Sequence, residues 1–253
     1  MPGDSLPVVS PIGTPVTSNR TSIALPEPRF DWLLVTLPLA GAAALLALEA
    51  TDLDRLVQSW FFDPLIGGFP LRYNAFLEVV LHYWTKYVVA LIAGLAIAGF
   101  LLSFTVAALR PHRRLLLFVS ASIALSTAAV TSLKLVSGKH CPWDLEQYGG
   151  LLPYTKLLEP APPAAAPGHC FPAGHASTGF SLLAFYFAGR ARRSPRLARA
   201  GLILGLSAGL VLGFGRMLQG AHFLTHVLWS GVVCWLVILL LYVTFYGREP
   251  HGS

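Results

Sequence analysis

The stretch LLLFVSASIALSTAAVTSLKLV, residues 115–136, has the length and composition of a membrane-spanning helix. Such a helix needs about 20 predominantly apolar residues to cross the hydrocarbon core of a bilayer. Five further runs approach or exceed this length, at residues 32–50, 87–109, 171–189, 202–217 and 227–246. We therefore predict an all-α integral membrane protein, in which residues 31–248 form a bundle of six transmembrane helices.

The overall composition supports this class of protein. Hydrophobic residues make up 55% of the 253 residues, whereas charged residues make up only 12%. A soluble domain carries about 25% charged residues. Residues 1–30 lack an apolar core and are rich in Pro, Ser and Thr, so we expect a disordered cytoplasmic tail. The net charge of +6 lies mostly in scattered basic linkers without interleaved aromatic residues, which argues against a nucleic-acid partner.

Arginine clusters predict the orientation of the bundle. The segments RPHRR at 110–114 and GRARRSPRLARA at 189–200 are expected on the cytoplasmic side, because cytoplasmic loops retain Lys and Arg. An even number of spans then places three loops outside, at 51–86, 137–170 and 218–226. The first of these mixes aromatic and charged residues, so we expect it to lie in the membrane interface and anchor the protein or line an entrance from the bilayer.

Three polar clusters lie at the outer ends of the predicted helices. They are KLVSGKHCPWDL at 134–145, CFPAGHAST at 170–178 and RMLQGAHFLTH at 216–226. Ionisable side chains at a membrane edge cost free energy, so a chain that keeps them generally uses them. The amides of Gly174 and His175 at a helix start favour an anion, and Lys134, Lys139 and Arg216 add positive charge. We predict a phosphate site in which one of His175 and His222 attacks phosphorus and the other protonates the leaving oxygen.

The spacing of these clusters resembles the three-part signature of the type 2 phosphatidic acid phosphatase superfamily. That signature runs Lys-x6-Arg-Pro, Pro-Ser-Gly-His and Ser-Arg-x5-His-x3-Asp. The corresponding residues of this chain are Lys134, Cys141 and Pro142, then Pro172, Ala173, Gly174 and His175, and finally Arg216, His222 and His226. Their order, spacing and placement on six helices match over nearly the whole chain after the tail.

The resemblance implies a membrane phosphatase that removes phosphate from a lipid phosphomonoester or pyrophosphate of the polyprenyl, glycerolipid or lipid A type. It makes His222 the nucleophile that forms a phosphohistidine, His175 the general acid, and Lys134 and Arg216 phosphate ligands. It implies no metal and no cofactor, and a site on the periplasmic face of a bacterial inner membrane. The alternatives are a phosphotransferase that passes the phosphoryl group to a second lipid and a catalytically silent lipid-binding protein.

Four positions depart from the family signature, namely Cys141, Ala173, Gly215 and His226. Cys141 replaces an arginine, and the loss of that guanidinium removes a bidentate contact to phosphate. We expect Lys139 or His140 to replace it as a point charge. The changes at 173 and 215 remove serine hydroxyl groups.

The departure at His226 bears on mechanism, because the family has an aspartate there that accepts the Nδ1–H bond of the nucleophile. Neutral His226 is able to accept this bond and protonated His226 is not, so we expect activity to fall on the acid side. Asp144 or Glu146 is the alternative source of a carboxylate. A further alternative is that His222 and His226 form a two-histidine metal site.

Two of the three cysteines lie in the second outer loop. In an oxidising outer compartment, Cys141 and Cys170 are able to form a disulfide. It would close a loop of about 30 residues and contribute about 3 to 4 kcal/mol in the chain-entropy treatment. The alternative is two free thiols.

Overall fold

The computed structural model describes residues 31–160 and 166–247, and the predicted tail at 1–30 lies outside this range. The regular structure of the described residues is helical, without strands. The α-helices are α1 (Leu33–Leu48), α2 (Leu53–Ser59), α3 (Thr85–Leu102), α4 (Arg113–Val136), α5 (Gly174–Phe180), α6 (Ala184–Ala191), α7 (Pro195–Leu218) and α8 (Leu224–Tyr246). A π-helical segment covers Leu77–Trp84, and 3₁₀ turns cover Ala107–His112, Pro142–Asp144, Glu146–Tyr148 and Ser181–Leu183.

Four helical stretches are long and apolar enough to cross a membrane, at Leu77–Leu102, Ala107–Val136, Pro195–Leu218 and Leu224–Tyr246. Helices α1 and α2 meet at a bend of 80° and add a fifth candidate if the pair forms one broken span. The described residues thus contain four or five candidate spans, where the sequence predicts six. The protein is a multi-pass, all-helical membrane protein.

The run predicted as the fourth span folds as three short segments. Helix α5, the turn Ser181–Leu183 and helix α6 follow one another without a gap. Their large apolar side chains, including those of Phe180 and Phe187, are buried within the bundle. A helix that is apolar on all sides is expected to be surrounded by its neighbours, and this run is.

Helix α7 has a glycine at every fourth position along one stripe, at Gly201, Gly205, Gly209 and Gly213. A Cβ atom at Gly201 would lie 2.3 Å from the backbone nitrogen of Tyr186, and one at Gly209 would lie 2.3 Å from a ring carbon of Phe180. Small residues at this spacing allow membrane helices to approach closely. The α5–α6 run and α7 therefore pack as a tight antiparallel pair.

The helices run between two chemically different ends. At one end Arg190 pairs with Asp31 at 3.1 Å, and the guanidinium of Arg114 lies 4.8 Å from the ring centroid of Tyr246. Arg114 lies in the first turn of α4 and Tyr246 is the last residue of α8, so these two helices are antiparallel. The end of α4 and the start of α8, which carry two of the polar clusters, consequently lie together at the opposite end.

Three predicted loops are wrong at their edges. Helix α7 begins at Pro195, because proline suits the first helical position and the Ser194 hydroxyl accepts a bond from Leu197 N–H at 3.4 Å. Because α6 extends to Ala191 as well, most of the basic linker at 189–200 is helical. Helix α8 begins at Leu224, so His226 lies in its first turn and not in a loop. In the first outer loop, α2 and the segment from Leu77 onward are also helical.

Candidate active site

His222 lies in the short connection between α7 and α8. Gly220 turns the chain there with φ of +76°, and a Cβ atom at this glycine would lie 2.2 Å from the ring of Phe69. The connection is held by backbone bonds of 2.9 Å from Ala221 N–H to the Arg216 carbonyl and from Trp143 N–H to the Gly220 carbonyl. The imidazole of His222 is almost fully buried as a result.

The Nδ1 atoms of His222 and His226 face the same backbone carbonyl. They lie 2.8 Å and 2.9 Å from the carbonyl oxygen of Cys170. Because a carbonyl oxygen only accepts hydrogen bonds, each Nδ1 carries the proton and donates it. In the neutral form of His222, the ring lone pair therefore resides on Nε2.

This geometry corrects the role predicted for His226. The family signature predicts that residue 226 accepts the Nδ1–H bond of His222, but the Cys170 carbonyl accepts this bond. The two imidazole rings have their centroids 6.1 Å apart, and His226 packs edge-on against Phe171 and Phe223. The His222 imidazole is thus oriented by a backbone carbonyl, where the family signature has a carboxylate.

The charged groups of the other clusters converge on His222. Burial lowers the pKa of His222 below its ordinary value, and the neighbouring His226, His175, Lys134 and Arg216 lower this pKa further. These residues come from α8, α5, α4 and α7. The structure therefore brings the predicted nucleophile, acid and phosphate ligands to one place.

We expect this lowered pKa to shape the pH dependence of activity. Protonation of Nε2 removes the nucleophile, and a lowered pKa keeps His222 neutral to more acid pH. The acid limb of kcat/KM should therefore lie below about pH 6.5, the ordinary histidine value. The measurement is kcat/KM on a dispersed lipid phosphate from about pH 4.5 to about pH 8 at constant ionic strength. An acid limb at or above the ordinary value would contradict the assignment.

Helix α5 presents the second histidine. The Ala173 N–H donates to the His226 carbonyl at 3.1 Å, and the Ser230 hydroxyl donates to the Ala173 carbonyl at 3.0 Å. These bonds fix the start of α5 against the first turn of α8. His175 is the second residue of α5, and a Cβ atom at Gly174 would meet no heavy atom within 4 Å. Gly174 thus borders open space at the helix start.

Arg216 belongs to a polar cluster that has no counterpart in the family signature. Its Nη1 atom donates to Gln219 Oε1 at 2.7 Å and pairs with Glu78 Oε2 at 3.4 Å. The Gln219 amide also donates to Glu78 Oε2 at 3.4 Å. Glu78 and Gln219 are not among the residues predicted from the sequence. Gln219 is one of the five residues between Arg216 and His222, whose identity the family signature does not specify.

Lys139 and Asp144 make contacts within the loop that follows α4. The Lys139 ammonium group donates to the carbonyls of Lys156 and Glu159, and its predicted contact with phosphate stays a prediction. The Asp144 carboxylate accepts the Cys141 N–H at 3.3 Å, which closes the turn after the first motif. The Nε2 atom of His140 is buried without a hydrogen-bond partner among the described residues. A phosphate contact for His140 stays a prediction.

The structure joins Cys141 and Cys170 in a disulfide, with their Cα atoms 5.1 Å apart. This bridge connects the loop after α4 to the segment before α5. Cys170 also supplies the carbonyl that accepts both imidazole N–H bonds, so the bridge holds the group that orients His222.

Within residues 31–160 and 166–247, no three His, Cys, Asp or Glu side chains form a group able to hold a metal ion.

Asp54 on α2 accepts hydrogen bonds from the first turn of α8, although the two segments are far apart in the sequence. One of its carboxylate oxygens accepts the Thr225 N–H at 3.0 Å, and the other accepts the Thr225 hydroxyl. A carboxylate at a helix N-terminus satisfies an unpaired N–H group and complements the helix dipole. The Gln58 amide on the same helix donates to the Met217 carbonyl at 2.9 Å. Helix α2 thereby fixes both sides of the connection that carries His222.

Replacement of Asp54 by alanine is expected to destabilise the fold by about 2 to 3 kcal/mol, because the buried N–H and hydroxyl of Thr225 lose their acceptor. The midpoint of thermal unfolding in detergent measures this effect. Asp52→Ala is the matched control, since Asp52 pairs with Arg55 and its side chain is 66% exposed. Equal stability of the two variants would show that the Asp54 contact is not needed.

The fold and the site define a class of protein, a multi-pass membrane protein with histidines and cations gathered at one end of its helices. The pattern of the PAP2 superfamily matches residues 115–250, a range that contains all three polar clusters. The chain belongs to the PAP2 superfamily, which confirms the resemblance seen in the sequence and the class of membrane phosphatase.

The chain is also similar to lipid A 4'-phosphatase of Francisella tularensis subsp. novicida (strain U112). The two are 25% identical over 208 residues, which cover 79% of this chain and 89% of that protein. No solved structure matches the chain.

Proposed function

We propose that this chain is an integral membrane lipid phosphatase that works through a phosphohistidine on His222. The observation that carries the proposal is the buried His222 imidazole, whose Nδ1–H donates to the Cys170 carbonyl and leaves Nε2 for phosphorus. The proximity of Lys134, Arg216 and His175 to this ring supports it. A cationic pocket of this kind favours a phosphate dianion.

The proposed reaction has two steps. In the first, Nε2 of His222 forms a bond to phosphorus while the bond from phosphorus to the leaving oxygen breaks, and His175 protonates that oxygen. In the second, His175 takes a proton from water, the water oxygen bonds to phosphorus, and the P–N bond breaks to return His222. Arg216 and Lys134 bind the phosphoryl oxygens, and the α5 N-terminus at Gly174 offers backbone N–H groups to them.

We further propose six spans, with α1–α2 as the first and the buried α5–α6 run as the fourth. The site then lies on the periplasmic face of a bacterial inner membrane, with residues 1–30 in the cytoplasm. Two observations support this orientation. The two arginine clusters at 110–114 and 189–200 lie at the end opposite to the site, and the disulfide lies at the site end, where an oxidising compartment would preserve it.

The proposed substrates are lipid phosphomonoesters and pyrophosphates. The name of the Francisella relative supports lipid A as the first to test. Phosphate release by purified protein in detergent should be compared among lipid A, a polyprenyl diphosphate and phosphatidic acid. We expect release from at least one of them, unchanged by a chelator because no step of the proposed reaction uses a metal. Chelator-sensitive release would contradict the metal-free reaction, and release from none would contradict the phosphatase proposal.

The same assay separates hydrolysis from transfer. A second lipid with a free hydroxyl or phosphate is added, and the labelled phosphoryl group is followed. We expect the label to appear as inorganic phosphate. Its appearance on the added lipid would replace the phosphatase assignment by a phosphotransferase.

A further inference from the structure

The family signature contains a guanidinium that this chain lacks, because Cys141 stands in its place. The structure commits Cys141 to the disulfide with Cys170, which leaves its side chain no role at phosphate. Lys139, the cation expected to compensate, donates to two loop carbonyls. A second guanidinium nevertheless lies against the same indole ring as that of Arg216, and it comes from a segment outside the three motifs.

This guanidinium belongs to Arg72 in the first outer loop. Its central carbon lies 4.7 Å from the ring centroid of Trp143, and that of Arg216 lies 5.6 Å from the same centroid. Trp143 follows Cys141 by two positions, and its N–H donates to the Gly220 carbonyl in the connection that carries His222. Arg72 therefore reaches the turn that holds the substituted position.

Gln219 fixes the backbone of Arg72 with respect to Arg216. Its side chain is fully buried. The amide nitrogen donates to the Arg72 carbonyl at 3.3 Å, while the amide oxygen accepts from Arg216 at 2.7 Å. The Arg72 N–H in turn donates to the Phe69 carbonyl at 3.0 Å, and Phe69 is buried against Gly220. These bonds fix the backbone of Arg72, and the contact with the Trp143 ring places its guanidinium group.

The cluster formed by Arg72, Trp143, Arg216, Gln219 and Glu78 carries more positive than negative charge. Its carboxylate is Glu78, which pairs with Arg216 at 3.4 Å. The two guanidinium groups, with Lys134 near His222, leave a net positive charge for an anion. A guanidinium presents a planar fork of N–H donors that suits phosphate oxygens better than an ammonium group does.

We propose that Arg72 binds the oxygens of the phosphoryl group that His222 attacks, as the second guanidinium of the site. The inference rests on the proposed function, since it names a further ligand for the same phosphate. It assigns to the first outer loop a direct part in substrate binding.

The first test measures binding without turnover. Orthovanadate is the probe, and its affinity is read from the rise in unfolding temperature of the purified protein. We expect Arg72→Ala to weaken vanadate binding about ten- to hundredfold, and Arg72→Lys to weaken it less. Arg55→Ala is the control, because Arg55 also lies over a ring, that of Tyr154 at 5.4 Å, and pairs with exposed Asp52. Equal vanadate affinity of Arg72→Ala and the wild type would overturn the proposal.

The second test uses the kinetics of a substrate that the wild type hydrolyses. We expect Arg72→Ala to raise KM and lower kcat/KM, with the unfolding temperature in the absence of vanadate unchanged. A raised KM with unaltered vanadate affinity would overturn the assignment to the attacked phosphoryl group. If the wild type releases no phosphate but binds vanadate through Arg72, the proposed function fails and the ligand assignment stands. The two failures are therefore distinguishable.

Discussion

Replacement of His222 by alanine is expected to lower kcat for phosphate release by about 10⁴-fold or more, with the fold retained. The reason is that, in the proposed reaction, Nε2 of this imidazole forms the bond to phosphorus. Among the described residues, His226 is the other histidine whose Nδ1–H donates to the Cys170 carbonyl. His226 packs between two phenylalanine rings and is not expected to take over the attack.

The measurement is a steady-state assay of phosphate release, combined with trapping of labelled protein in acid-free conditions that preserve a phosphohistidine. We expect the wild type to be labelled and His222→Ala to remain unlabelled. His112→Ala is the control, because His112 contacts Arg192 at the opposite end of the bundle. Full activity of His222→Ala would exclude His222 as the nucleophile, and so would labelling of the variant.

Removal of the disulfide is expected to affect both stability and rate. The bridge closes a loop with a sequence separation of 29 residues. Loss of a bridge that closes a loop of this length lowers the free energy of unfolding by about 3 to 4 kcal/mol in the chain-entropy treatment. This corresponds to a fall of about 10 °C in the unfolding temperature. The rate should also fall, because the Cys170 carbonyl that orients His222 loses its tether, and a misplacement of about 1 Å costs about 100-fold.

The double variant Cys141→Ser, Cys170→Ser and the reduced wild type should therefore behave alike. Unfolding temperature and kcat are compared with and without reductant. Cys234→Ala is the matched control, since Cys234 is a buried free cysteine inside α8 and should leave the response to reductant unchanged. If Cys141 and Cys170 of the unreduced protein alkylate fully, or if reductant changes neither quantity, the bridge does not act as described.

The long helices were predictable because the bilayer imposes a length and a composition that single runs of sequence reveal. The stretch at 115–136 lies within α4, and the other long runs overlap helices, although the run at 87–109 extends past the end of α3 at Leu102. The α1–α2 bend and the division of the fourth run were not predictable, since they depend on packing against neighbours and not on local composition. The edges of α7 and α8 were misjudged because their first turns are polar.

The candidate site was predictable only where its residues recur at fixed spacing. This spacing singled out His222, His175, Arg216 and Lys134, and in the structure the last three lie near His222. The partner of the His222 Nδ1 atom was missed because it is a backbone carbonyl, which has no signature in side-chain composition.

Long-range contacts were missed for a related reason. Asp54 bonds Thr225 across 171 positions, and the Gln219 amide bonds the Arg72 carbonyl across 147. A single sequence contains no pattern that links positions so far apart. Such partners become visible only when the chain is folded.

The glycine stripe of α7 restricts the path of a lipid to the site. At Gly179 and Gly189, an added Cβ would lie 2.4 Å and 2.2 Å from backbone nitrogen atoms of α7. Helices in backbone contact leave no gap of the width of an acyl chain, since carbon atoms in contact are already about 3.5 to 4 Å apart. A hydrocarbon tail therefore cannot pass between α5–α6 and α7, and we expect a lipid to approach the candidate site from another face of the bundle.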